Sequence, residues 1–400
     1  MKRRHFVVGA GALAGASLLV EGLPVHMNVA QSTEGEPENW PELVQQGSAQ
    51  GRMDVHHHLL PPFYRAALQR AGVGDFAGLA LPEWTVEQSL DLLDTQGIQA
   101  AILSLPAPGV DIGDAHVAVE LARRCNEYAA DLVQRYPRRF GSFATVPLPA
   151  TAEACAEAIH ALDVLKADGV MLLASNAGVF LGDPRFDELM AELDRRDATV
   201  FVQPNLHPRS QDLELEAPGF LLELVCDTTR AAVNLILSGT MERYPRIRWI
   251  LANAGGFLPY AAWRVSLANA IPEFQERVPQ GVMTYLQRFY FDTALAPSAS
   301  SMAVLRELIE PRQVLFGSGF PSARSELVEQ QIAELGASTL WSTAQLAGIA
   351  RHHGLSLFPR FAAPGESVAT VPSHESESTL HWLGRTATQP LAALAQRLKD

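Results

Sequence analysis

Cysteine is scarce in this chain, and the three that occur, Cys125, Cys155 and Cys226, form no C-x-x-C pair. A sparse, odd set excludes a disulfide-stapled scaffold and a zinc knuckle, so each thiol is expected among apolar neighbours. Positive charge is also short: 31 Lys and Arg stand against 44 Asp and Glu, a formal net charge of −13. Nucleic acids and anionic membranes select basic patches, so neither is expected as a partner. No G-x-G-x-x-G follows the first apolar segment, which withdraws support from a dinucleotide fold. The uncharged apolar run from Val7 to Val20 is too short for a comfortable membrane-spanning helix.

That run follows Lys2-Arg3-Arg4-His5-Phe6, and the paired arginines ahead of a weakly apolar stretch resemble a twin-arginine export signal. A general secretory signal or an uncleaved anchor is the alternative. The expected organisation is a signal over 1–30, a linker over 31–50, a barrel over 51–362 and a flexible tail over 363–400, ending in a short amphipathic helix at Pro390–Leu398. Export predicts a periplasmic or otherwise extracytoplasmic protein.

Between linker and tail, apolar β-rich runs alternate with amphipathic helical patterns. The strand candidates are Met53–Val55, Ala100–Leu105, Phe140–Val146, Gly169–Leu173, Thr199–Gln203, Trp249–Asn253, Tyr290–Thr293 and Val314–Gly317. Helical patterns cover Val117–Tyr136, Ala152–Leu165, Phe186–Arg196 and Thr228–Tyr244, and a last one runs near Thr343–His352. Eight such units predict a parallel sheet covered by helices and closed on itself, an α/β TIM-like (β/α)8 barrel. Asp183 is placed to cap the helix that Pro184 opens, and Gly255-Gly256 reads as a tight turn.

The chemistry starts where the first strand ends, at R-M-D-V-H-H-H-L-L-P-P, Arg52 to Pro62. Alternation turns His56 and His58 to one side and His57 to the other, and two imidazoles so spaced can grip one metal ion. A histidine triplet opening a polar loop is the plainer reading. Asp54, beside the pair but directed away from it, reads as structural.

With these strand ends named, the chain resembles an amidohydrolase-related barrel, on the branch of metal-dependent, non-oxidative decarboxylases of small aromatic or unsaturated acids such as aminocarboxymuconate semialdehyde. The resemblance spans about Arg52 to Arg360. It is carried by DVHHHLLPPFY, LGDPRFDELMAELDRR, NLILSGTMERYPRIRWILANAGGFLPY, FDTALAPSA and VLFGSGFPSA. It implies one divalent metal, usually zinc, at the carboxyl-end mouth, with lyase or hydrolase chemistry on a small organic acid or phenol. Pairing into a homodimer, or with an active paralogue, is a further implication.

Carried over by position, His56 and His58 match the family's metal pair. Gln203 stands where a metal-binding His is usual, Asn253 where an acid/base His is usual, and Gly319 where an Asp binds metal and handles the proton. A catalytic zinc takes three N, S or carboxylate ligands, and neither Asn nor Gly exchanges a proton near neutral pH. Metal catalysis is therefore expected to be impaired or altered, with a non-catalytic binding barrel as the alternative. His207, four residues after Gln203, is either a compensating ligand or a solvated loop histidine; His116 reads as a surface residue. Phe63, Trp84, Ser104, Phe257, Asp292 and Phe320 are expected at the mouth as substrate-binding walls or as packing, and Asp292 also suits a turn cap.

Overall fold

The computed structural model describes residues 51–213 and 216–371. The expected signal, the linker over 31–50 and the Pro390–Leu398 helix lie outside them.

Eight strands form one parallel sheet: β1 (Arg52–His58), β2 (Ile98–Ser104), β3 (Phe140–Ala144), β4 (Gly169–Leu173), β5 (Thr199–Gln203), β6 (Arg248–Leu251), β7 (Tyr290–Asp292) and β8 (Val314–Leu315), in that spatial order. The first and last strands meet through Val55 N–H to Phe316 O (3.0 Å), His58 N–H to Phe320 O (2.7 Å) and Gly319 N–H to His56 O (2.8 Å). The sheet thus curls into a TIM-type barrel, as the alternation of β-rich runs and helices predicts.

Alternation along each strand builds two cores. Met53, Val55, Ile102, Phe143, Met171, Phe201 and Ile250 fill the interior, while Leu103, Phe140, Leu172, Val202, Trp249 and Phe291 meet the surrounding helices. Most expected strands end within two residues of the observed ones. The largest difference among the helices is the Thr228–Tyr244 pattern. That helix starts earlier, at Gly219, and stops at Leu237, because Gly239 takes a left-handed φ of 76° and opens a separate turn at Thr240–Arg243. Asp183 caps as expected, its carboxylate accepting Arg185 N–H ahead of Asp187–Arg195.

Residues 363–371, taken as the start of a flexible tail, are tied to the barrel floor. The buried Arg351 guanidinium binds Glu366 (2.7 Å) and also reaches Gln99 and Gly51 O. Cys125 and Cys155 are buried and Cys226 is half-buried, all as free thiols. No helix among the described residues is long and apolar enough to cross a membrane.

Candidate active site

Met53 and Val55 point into the barrel, so strict alternation would also send His57 inward. The register of β1 slips between Asp54 and His57, and this shifts the phase. His56 and His58 turn inward instead. His57 turns out, with Nδ1 3.1 Å from Asp54 and Nε2 2.9 Å from Ser89 Oγ. Asp54 fastens the slip: it accepts His56 N–H (3.0 Å), Ser318 N–H (2.9 Å) and Ser318 O–H (2.6 Å), tying β1 to the loop after β8. The structural role expected of Asp54 is this tie.

The inward pair belongs to a continuous polar line. Gln203 Nε2 donates to Ser104 Oγ (2.7 Å), Ser104 Oγ lies 3.3 Å from His58 Nδ1, the two histidine Nε2 atoms stand 3.1 Å apart, and His56 Nδ1 lies 2.7 Å from Asp292 Oδ2. One placement of protons satisfies every member, each donating onward from Gln203 to Asp292. Burial, reinforced by the neighbouring histidines, holds the His58 imidazole well below the ordinary histidine value, so this ring is neutral at pH 7. Asp292 is wholly buried. Its Oδ1 accepts the N–H groups of Asn253 and Ala294 (both 2.9 Å), which is the expected capping role, and its Oδ2 sets the His56 ring, a task the sequence did not reveal.

A cavity of about 1340 Å³ opens onto this pair at the carboxyl ends of the strands. His56, His58, Gln203, Asn253, Phe257, Gly319, Phe320 and Arg324 are among the residues that line it. The backbone around the mouth is left-handed at Asn253 (φ 56°), Ala254 (φ 54°) and Leu295 (φ 55°). For Ala and Leu that conformation costs roughly 1–2 kcal/mol each.

Four expected wall residues do not line the cavity: Ser104 and Asp292 are wholly buried in the polar line behind it, and Trp84 and Phe63 lie elsewhere. Trp84 is buried and donates its indole N–H to Ser89 Oγ (2.8 Å), the same hydroxyl that His57 Nε2 meets. Phe63 packs under the Arg124 guanidinium, 4.5 Å from the ring centre, and against Tyr128. Neither lines the cavity, because the helix-side layer offers each an aromatic or polar partner. His207 also stays apart from the pair. Its Nε2 lies 3.2 Å from Gly178 O, its Nδ1 accepts Arg209 N–H, and its ring stacks on Phe180 at 5.0 Å. His116 is exposed, as expected.

The amidohydrolase family model matches residues 53–352. The chain belongs to the amidohydrolase family. A decarboxylase of Aspergillus niger, yanB, is 36% identical over 79% of this chain and 89% of its own length. A 6-methylsalicylic acid decarboxylase of Penicillium expansum is 37% identical over 69% of this chain and 87% of its own. Among solved structures, one described as an amidohydrolase II matches with a TM-score of 0.72 and 30% identity, over 77% of this chain and 99% of that one. A dihydroxybenzoic acid decarboxylase from Polaromonas, with bound manganese, shares the fold at a TM-score of 0.67 and 22% identity, over 79% of this chain and 98% of that one.

The sequence resemblance implies a divalent ion at the mouth, and the side chains present can be tested against it. Two imidazole nitrogens about 2.0–2.1 Å from one zinc-sized ion stand roughly 2.9–3.4 Å apart, so the His56–His58 spacing of 3.1 Å suits one edge of such an ion. The remainder does not complete the set. Among the described residues no group of three His, Cys, Asp or Glu side chains converges on a point. Gln203 is neutral and turns its amide nitrogen to Ser104, and Gly319 has no side chain. These residues alone do not fit a resident divalent ion.

Proposed function

We propose that this amidohydrolase-family chain is a carboxy-lyase-type protein for a small aromatic carboxylic acid, with turnover lowered by Gln203, Asn253 and Gly319. The observation that carries the reading is the inward His56–His58 pair at the floor of an open cavity, in a chain more than a third identical to decarboxylases along most of its barrel.

The reaction in question breaks the bond from ring carbon to carboxylate, releases CO2 and places a proton on the ring carbon. This chain's residues would seat the ring between Phe257 and Phe320 and set the acid's oxygens toward the histidine pair. Proton delivery is the weak step, because neither Asn253 nor Gly319 exchanges a proton near neutral pH.

The test uses the full chain with 6-methylsalicylate or salicylate, with added Mn2+ or Zn2+, followed by chromatography for loss of the acid and appearance of the phenol. Slow, protein-dependent phenol formation supports the reading. Binding without any phenol would favour the second reading, a barrel that holds an aromatic acid without turning it over. Export by a twin-arginine-type signal at residues 1–30 belongs to the same proposal. Fractionation of cells carrying the Arg3→Lys, Arg4→Lys pair tests it, since the altered chain should stay in the cytoplasm.

A further inference from the structure

The cavity is larger than a one-ring acid needs. At about 1340 Å³ it exceeds the roughly 300–1,000 Å³ that holds drug-sized ligands, so a single hydroxybenzoate would leave most of it to water. The walls around that extra space are largely carbon. A two-stranded hairpin, Asp75–Phe76 with Leu79–Ala80, is inserted between β1 and β2, and Phe76, Leu79 and the following Leu81 line the cavity. The start of the helix Gly219–Leu237 adds Phe220, Leu221 and Leu224. Phe220 N–H donates to Ala77 O (3.0 Å), which joins the hairpin turn and the helix start into one wall. His56, His58, Phe257 and Phe320 line the same cavity, so this wall and the histidine pair face one space.

The wall is also wet. Leu79 is 40% exposed and Leu221 58% exposed, although both are large and apolar. Leu221 and Leu224, three apart on one helix, project to one side of it. A contiguous exposed apolar surface of this kind marks a place where something apolar is covered on binding. Among the described residues that line the cavity, the charged side chains Glu83, Asp91, Arg324 and Glu326 are all exposed. No buried charge therefore stands along the hairpin and the helix start, and a sugar, phosphate or ammonium group laid there would lack buried polar partners. A hydrocarbon chain needs none.

We propose that the ligand of this cavity is an aromatic carboxylic acid carrying a long alkyl tail, its ring end toward the histidine pair and its tail along the wall of Phe76, Leu79, Leu81, Phe220, Leu221 and Leu224. The aromatic acid end rests on the proposed function; the tail is read from the wall. Covering the tail removes apolar surface of both partners from water, which is the driving force. Full burial of one methylene multiplies affinity about fourfold, and burial against a wall open on one side about twofold.

The experiment is a calorimetric titration of the full chain with salicylate, 6-methylsalicylate and 6-hexylsalicylate, each kept below the concentration at which it forms micelles. From methyl to hexyl, binding should tighten about thirtyfold, with the negative heat-capacity change that marks apolar burial. Leu79→Ser with Leu221→Ser, both at exposed positions, should remove most of that gain. A gain below about threefold would overturn the inference, as would a gain that the double variant keeps in full. Sedimentation of the parent and the double variant reads the other occupant open to an apolar face, a second copy of the chain. A parent dimer that the double variant splits, with no gain from methyl to hexyl, would give the wall to that copy and overturn the inference as well. Phenol formation plays no part in this readout. A chain-length gain with no turnover of any of the three acids would sink the carboxy-lyase reading alone, and turnover of 6-methylsalicylate with no gain would sink this inference alone.

Discussion

Asp292 Oδ2 lies 2.7 Å from Nδ1 of His56, a residue 236 positions earlier in the chain. The carboxylate holds the proton on that nitrogen and leaves Nε2 of the same ring facing His58. Asp292→Asn should therefore cost about 1–3 kcal/mol of stability, because the buried His56 N–H loses its charged acceptor. Urea unfolding checks this, and an unchanged midpoint would show that the ring is set by something else.

Gly317 is where His56 and Asp292 come together. A Cβ there would stand 2.9 Å from His56 Cβ and 3.1 Å from Asp292 Cβ. Gly317→Ala is expected to cost about 1–3 kcal/mol of stability, as overpacking does. Urea unfolding gives this quantity. A variant as stable as the parent would mean that the loop after β8 yields freely.

Restoring donors should restore the ion. Gln203→His with Gly319→Asp adds an imidazole and a carboxylate at the mouth, and Asp is among the side chains that tolerate the φ of 73° at position 319. Elemental analysis of the purified double variant should find more metal per chain than in the parent, without added salicylate. Equal metal content in both would count against the role given to these two positions.

Asp227 carries a pH dependence of its own. Burial lifts its carboxyl from 3.8 to about 6, although Asn205 N–H and Ser175 O–H both bond to it, and its Oδ1 has no protein partner. The folded pKa is raised above the unfolded one, so the contribution favours folding at low pH and is lost as pH rises through about 6. A shift of this size corresponds to about 3 kcal/mol. Asp227→Asn removes the charge and should flatten the stability profile between pH 4 and roughly 6.5, leaving the variant more stable than the parent by about 1–3 kcal/mol at pH 8. Chemical unfolding at pH 5 and pH 8 settles the sign; a variant less stable at pH 8 would reverse it.

Much of this protein can be read along the chain. Gly169–Leu173 and Thr199–Gln203 are strands residue for residue as their apolar runs predict, because a parallel strand buried on both faces writes itself as a short, near-continuous apolar run. Gln203, Asn253 and Gly319 also line the mouth together, since the carboxyl ends of barrel strands share one face. Trp84 and Phe63 were legible only as aromatics near that face. What each packs against lies on another element, and apolar character alone does not choose between cavity wall and core.

Periodicity and residue type determined the barrel and set two histidines at a strand end, because those are local properties of strands and of side-chain chemistry, while the family resemblance marked Gln203, Asn253 and Gly319 as the neutral residues that stand with them. Only the folded chain decided which histidines face inward, which carboxylate holds them and that His207 turns to Gly178. The slip in β1 and the approach of Asp292 arise when the first and last strands meet, and no local pattern records how a sheet will close on itself.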